Sequence, residues 1–160
     1  MKLDKILLLG DERLYMNSAP VEPGELGLLM PAIRELHELV LEYRSVYGSG
    51  RAIAAPQIGV LKRIICLNID RPIVMINPVV SERSNEMFEL WDDCMSFPNL
   101  FVKVIRHKRL TLSFYDENWE KQTWNLEDDM AELIQHEYDH LDGILATQRA
   151  IDEKSFRYVE

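Results

Sequence analysis

Gln135-His136-Glu137-Tyr138-Asp139-His140-Leu141-Asp142-Gly143 is the stretch from which the rest of the chain is read. On a helix, a four-residue spacing puts His136 and His140 on one face, near enough for both imidazoles to reach a single metal ion. Glu137, beside the first histidine, is placed to take a proton from water activated at that ion. A surface helix carrying two histidines and a glutamate has the same pattern, so the surrounding residues must decide. Leu126 to Leu141 has helical period. Met130, Leu133, Ile134 and Leu141 are its packing residues, and Glu127, Asp128 and Asp129 suit the positive end of its dipole. Gly143 ends it.

Two histidines hold a catalytic ion weakly, so a third protein ligand is expected, with one position left for water. The place three residues after Gly143, where one known arrangement has another histidine, is Ala146. Glu153 and Glu160 lie downstream with little chain to bring them back. His37 falls on a packing helix and His107 between basic neighbours. Cys94 remains, in the irregular polar segment Trp91-Asp92-Asp93-Cys94-Met95-Ser96-Phe97-Pro98, and a thiolate is a competent ligand. By elimination the site is Cys94, His136, His140 and a water. Cys66, within the strand-like run Arg63 to Ile69, reads as a buried small hydrophobe.

The 160 residues are enough for one domain, taken as 1–160, with a real core. With 18 basic against 27 acidic residues, the net charge of -9 argues against direct binding of nucleic acid. No apolar run is long enough to span a bilayer, and Ile6 to Leu9 is too short for a signal-peptide core. Two cysteines make no disulfide framework, and a cytoplasmic location is expected.

Residues 1 to 22 read as an extended arm with a turn at Gly10-Asp11. From Glu25 to about Tyr47, Leu26, Leu29, Ile33, Leu36, Val40 and Tyr43 mark one face of an amphipathic helix. Pro31 argues for a start nearer Met30. Gly48-Ser49-Gly50 ends the helix. The small residues of 51 to 60 allow close approach of a ligand or another strand, and Gln57 is either a loop residue or an amide donor to an oxyanion. Strands are expected at Arg63 to Ile69, Ile73 to Val80, Glu86 to Trp91, Phe101 to Arg106, Arg109 to Tyr115 and Lys121 to Asn125, the last two joined as a hairpin by Asp116-Glu117-Asn118. The fold class is α+β, with antiparallel or mixed sheets packed around the metal-bearing helix.

Three stretches in this order resemble the peptide deformylase family: Gly50-Arg51-Ala52-Ile53-Ala54-Ala55-Pro56-Gln57, Asp92-Asp93-Cys94-Met95-Ser96 and Gln135-His136-Glu137-Tyr138-Asp139-His140. Gly10-Asp11-Glu12-Arg13-Leu14 and Arg106 add to the likeness, which runs from about residue 5 to 150. Their joint occurrence is specific. The resemblance implies a peptide-deformylase-like fold and a hydrolase that removes the formyl group from the N-terminal formylmethionine of nascent peptides. It implies one divalent metal, Fe2+ in the cell with Zn2+ or Ni2+ in purified protein, held by Cys94, His136 and His140. Glu137 is then the proton carrier, while the Gln57 amide and the Met95 N–H stabilise charge on the formyl oxygen. Arg51, Ala52, Ile53, Asp93 and Leu133 would line the substrate site, with Asp92 and Arg106 as structural support.

N-formylated nascent peptides are the implied partners, with neither nucleic acid nor membrane. Many members carry a long C-terminal helix, in some cases used for docking on the ribosome. Ile151 to Glu160 is short and mixed in charge, so any such contact is expected to be transient.

The chain departs from the family pattern at named places. Arg51 stands where the motif has an apolar residue, Ala52 where it has glycine, and Asp92 where it has glutamate. Asp93 replaces a glycine beside the substrate backbone, adding bulk and negative charge. An intact metal site with an altered groove is the expectation. A general metallopeptidase and a non-catalytic, deformylase-like binding protein are the competing readings.

Overall fold

All five residues of Ile64–Asn68 are buried, so both faces of that strand need cover. One face, with Ile53, Ile64, Cys66, Val74 and Ile76, packs against Ile33, Leu36, Leu39, Val40 and Tyr43. The other, with Ala52, Ala54, Ile65, Leu67 and Met75, packs against Ala131, Leu133, Ile134 and Leu141. Period-two alternation along the strands thus meets two amphipathic helices, one on each side.

The computed structural model describes residues 2–159, so Glu160, weighed above as a ligand, lies outside the described residues. The helices are α1 (Leu26–Tyr47) and α2 (Asp128–Leu141). The strands are β1 (Ala52–Ala54), β2 (Ile64–Asn68), β3 (Pro72–Ser81), β4 (Met87–Asp92), β5 (Leu100–His107), β6 (Arg109–Tyr115), β7 (Lys121–Glu127) and β8 (Phe156–Tyr158). A five-stranded sheet has the order β1-β2-β3-β6-β7 and a three-stranded sheet the order β4-β5-β8. The class is α+β, and the expected choice between antiparallel and mixed resolves to antiparallel in every ladder. α2 touches β1 and β7 of the larger sheet and β5 of the smaller, so its inward face lies where the two sheets meet. The alanines of β1 let it come close.

Several boundaries differ from expectation. Residues 2–22 are not an extended arm: Lys2–Lys5 and Glu12–Tyr15 form single 3-10 turns, the second capped by Asp11 through the Arg13 N–H. Leu14 and Val21 are buried, and the Ser18 N–H donates to the Leu141 carbonyl, tying this segment to the end of α2. α1 begins at Leu26 rather than Met30, with Pro31 inside it. Gly27, whose carbonyl Pro31 leaves without an N–H partner, is exposed like Pro31, so the lost bond falls on the solvent side. α2 begins at Asp128 because Leu126 and Glu127 are held in β7, opposite Leu110 and Arg109. Neither β1 nor β8 was expected, because three-residue strands are too short to show a period.

The hairpin at 116–118 is present, with the Asp116 carboxylate accepting from the Asn118 and Glu120 N–H groups. Cys66 is fully buried, as expected. Gly143 has φ +73, and a Cβ there would lie 2.5 Å from the Tyr15 carbonyl oxygen. Only glycine permits that crossing.

Candidate active site

α2 is amphipathic in an unusual sense: its inward face carries Glu132, Gln135, His136, Glu137, Asp139 and His140, all buried. Charged groups survive burial only with partners or a ligand. Their partners come mainly from the smaller sheet. Asp92, at the end of β4, lies with Oδ2 2.9 Å from His136 Nδ1 and accepts from Arg106 on β5 at 3.0 Å. Arg106 also donates to Asp139 at 2.7 Å, and Asp139 accepts from Arg149 at 2.8 and 3.0 Å. Asp92 as the donor's partner leaves His136 Nε2 to face the cavity, which fixes the tautomer a metal ligand needs.

Cys94 leaves β4 two residues after Asp92, and its Sγ lies 3.3 Å from His140 Nε2. The ligand atoms of Cys94, His136 and His140 all lie within 4.8 Å of one another, and all three residues are buried. Burial would lower the His136 pKa, but the negative charges of Asp92 and Cys94 outweigh it and hold His136 well above its ordinary range. The field that attracts a proton there attracts a cation. Burial and the neighbouring His136 hold His140 well below its ordinary range, as a neutral imidazole with a lone pair to give. One thiolate and two imidazoles form an N/S donor set for a divalent transition metal, and these residues fit one.

Around that trio stand the other groups. Glu137 is buried, and its Oε1 has no hydrogen-bond partner among the described residues. Burial pushes its carboxyl up to about 7. Gln57 is locked in the 3-10 turn Ala55–Ile58: its Oε1 accepts from the Ala54 N–H at 2.9 Å and its Nε2 donates to Ser96 Oγ at 3.0 Å. The same nitrogen lies 3.5 Å from Cys94 Sγ. A cavity of about 180 Å³ opens over these groups, lined also by Tyr43, Gly50, Arg51, Ala52, Asp93, Met95 and Leu133.

Of the expected site residues, Cys94, His136, Glu137, Gln57, Met95, Arg51, Ala52, Asp93 and Leu133 are brought to this one cavity, and His140 joins Cys94 and His136 in the ligand cluster at its edge. Asp92 lines it as well, and Arg106 lies behind, bonded to Asp92. Ile53 is the exception. Its side chain is fully buried against α1, on the opposite face of β1 from the alanines, because neighbouring strand residues point to opposite faces. His37, His107 and Glu153 stay away from the trio, and Glu153 is exposed.

Sequence reasoning passed over Glu132, Ser96, Asp139 and Arg149. Glu132 is 8% exposed, and burial together with the Asp92 charge pushes its carboxyl up to about 8. Its signal was available, since it precedes His136 by one helical turn, as Asp139 follows it by one. Nothing local marks Ser96 or Arg149.

Buried imidazoles and a thiolate around one metal position, a carboxylate beside it and an amide opposite define a metal-dependent hydrolase on an α+β scaffold. A family model described as polypeptide deformylase matches residues 3–156. The peptide deformylase 2 of Clostridium acetobutylicum is 36% identical over 148 residues, covering 92% of this chain and 95% of that protein. The peptide deformylase of Pseudothermotoga lettingae is 37% identical over 142 residues, covering 88% and 79%. Among solved structures, the Thermotoga maritima peptide deformylase superposes with TM-score 0.83 at 30% identity, covering 92% of this chain and 97% of that one. A Synechococcus elongatus peptide deformylase in complex with actinonin gives TM-score 0.84 at 28% identity, covering 92% and 79%. The chain belongs to the polypeptide deformylase family, and it is a peptide deformylase enzyme by that membership.

Proposed function

We propose that this chain removes the formyl group from formylmethionine at the N-terminus of nascent peptides, using the cavity over Cys94, His136 and His140. The observation that carries the reading is the convergence of three buried ligand atoms within 4.8 Å with the unpartnered Glu137 oxygen on one cavity. A divalent ion held by Cys94, His136 and His140 would supply Lewis acidity toward water and toward the formyl oxygen. Glu137 takes a proton from the attacking water as its oxygen bonds to the formyl carbon. A carboxyl pushed to about 7 is poised to accept that proton and to return it. When the carbon–nitrogen bond breaks, the proton passes to the leaving amine, and formate and the free N-terminus remain.

Charge on the formyl oxygen needs donors. The Gln57 amide is prepositioned by Ala54 and Ser96, and the Met95 N–H has no acceptor among the described residues. β1 is an edge strand of its sheet, and beyond the Ala54 N–H, which Gln57 takes, its outer side at Ala52 is placed to pair with an extended peptide. Asp93, exposed at the rim, adds a side chain and a charge beside that path. Desolvation and the neighbouring Asp92 raise its pKa, a sign that the charge is poorly compensated there.

For the metal, we read Fe2+ in the cell, with Zn2+ and Ni2+ also accepted by a thiolate–imidazole set. A cytoplasmic location follows from nascent chains as substrate. Any ribosome contact is read as transient, since the C-terminal Phe156–Tyr158 forms a short strand on β5 rather than a helix.

The test is formate release from formyl-Met-Ala-Ser by anaerobically prepared, iron-loaded protein. Turnover is expected, together with a gain in kcat/KM on Asp93→Gly. No turnover at full metal content would overturn the proposal, and an unchanged Asp93→Gly variant would remove the groove argument.

A further inference from the structure

A second cavity, of about 210 Å³, lies against another face of α2 and shares no lining residue with the reaction cavity among the described residues. From α2 it takes Gln135, Tyr138, Asp139 and Asp142, which follow one another at helical spacing, whereas the reaction cavity takes Glu132, Leu133, His136 and Glu137. Gln135 braces it: its side chain accepts from the His107 N–H at 3.0 Å and donates to the His107 carbonyl at 2.8 Å, tying α2 to β5. Three arginines, Arg83, Arg106 and Arg149, supply its positive charge.

The charges there do not cancel. Asp139 is taken up by Arg106 at 2.7 Å and Arg149 at 2.8 Å, and Asp142 by Arg63 at 2.8 Å. Arg106 is matched further by Asp92 at 3.0 Å. Arg83 has no hydrogen bond or ion pair among the described residues. These four guanidinium groups thus meet three carboxylates, and one positive charge is left over at the cavity. Arg106 adds a second deficit: the residue is 3% exposed, and its Nε–H has no acceptor among the described residues. A buried charged donor without a partner is costly, so a site that keeps one is short of an acceptor.

We propose that this cavity is a binding site for a small oxyanion, a carboxylate or a phosphate group, held by the exposed Arg83 and Arg149 and by the buried Arg106. A guanidinium pairs with either anion through two parallel N–H donors. One surplus charge suits a monoanionic group. Val80, Met87 and Ile105 complete the lining, so the anion can carry a short apolar body. The assignment stands apart from the deformylase reading, because the reaction described above does not use this cavity.

The experiment follows the arginine Nε–H signals of isotope-labelled, zinc-loaded protein by NMR during titration with sodium phosphate and with sodium benzoate. Sodium chloride at equal ionic strength is the screening control. Saturable shifts of the Arg106 and Arg149 signals, with a Kd near or below about 1 mM for phosphate or benzoate, are expected, and the one that saturates names the anion. Arg83→Ala, at an exposed position outside the reaction machinery, should weaken that binding about tenfold and leave formate release from formyl-Met-Ala-Ser unchanged. This variant also separates the site from an anion bound at the metal, which Arg83 does not touch. Shifts that never saturate, or that chloride reproduces, overturn the site. Native affinity in Arg83→Ala overturns it as well, since the unmatched charge would then hold nothing.

Discussion

Replacing Asp92 by asparagine loosens the metal-facing side of α2 without changing shape. Asp92 Oδ2 serves both Arg106, at 3.0 Å, and His136 Nδ1, at 2.9 Å, and the residue is 3% exposed. Asparagine keeps an oxygen at that point but sets no charge against Arg106 or the histidine. A hydrogen bond to a charged group contributes roughly 1.5–3 kcal/mol and a neutral one roughly 0.5–1.5, so two weakened bonds lose about 2–3 kcal/mol together. The loss stays below the roughly 3–5 kcal/mol of a fully orphaned buried charge, because Arg106 keeps Asp139 at 2.7 Å.

At about 2–4 °C per kcal/mol for a chain of this length, the Tm of the chelator-treated protein should fall by about 4–12 °C. The histidine also loses the partner that orients it, so metal affinity should drop roughly 10–100-fold in competition with a chromogenic chelator. A Tm shift under about 2 °C with unchanged metal affinity would refute the account of Asp92 as the support of His136.

Three further outcomes are expected. In the metal-free protein the Glu137 carboxyl sits near 7 against an ordinary 4.5, raised by burial, so the folded state keeps a proton that the unfolded state has released. Its contribution to stability is complete below about 4.5 and is lost as pH rises through about 7. Glu137→Gln should therefore raise the Tm of metal-free protein more at pH 8 than at pH 5, by an amount on the order of 2–3 kcal/mol, while abolishing formate release; equal shifts at both pH values would contradict it. Gln57→Ala should lower kcat roughly 10²–10³-fold at unchanged metal content, and a change confined to KM would argue against an oxyanion role. Gly143→Ala forces a Cβ to within 2.5 Å of the Tyr15 carbonyl at φ +73. Urea unfolding should show a loss of about 1–3 kcal/mol, and an undisturbed midpoint would mean that the crossing relaxes freely.

The convergence of Cys94, His136 and His140 was readable because helical geometry is local. His136 and His140 must share a face wherever their helix packs, and Cys94 could be reached by excluding the other donors. The strand positions were also close, since a half-buried or fully buried strand writes its burial into its own residues. Short elements escaped. Ala52–Ala54 and Phe156–Tyr158 are strands only because β2 and β5 supply their hydrogen bonds. Ile53 was assigned to substrate from its place in a motif, whereas the pleat of β1 turns its side chain into the α1 core.

What the sequence by itself determined is the chemistry held within one turn of helix or one short motif: two imidazoles, the carboxylate beside them, a thiol in polar surroundings, and an amide after Ala-Ala-Pro. Tertiary structure alone decided how those pieces face one another. The two sheets meeting on α2 bring Asp92 and Arg106 behind His136, and they set Arg51 against Glu132, 81 residues apart, across one cavity. No local pattern encodes such pairs. Burial makes a partner obligatory for each of these charged groups, and only the packed chain specifies which partner it is.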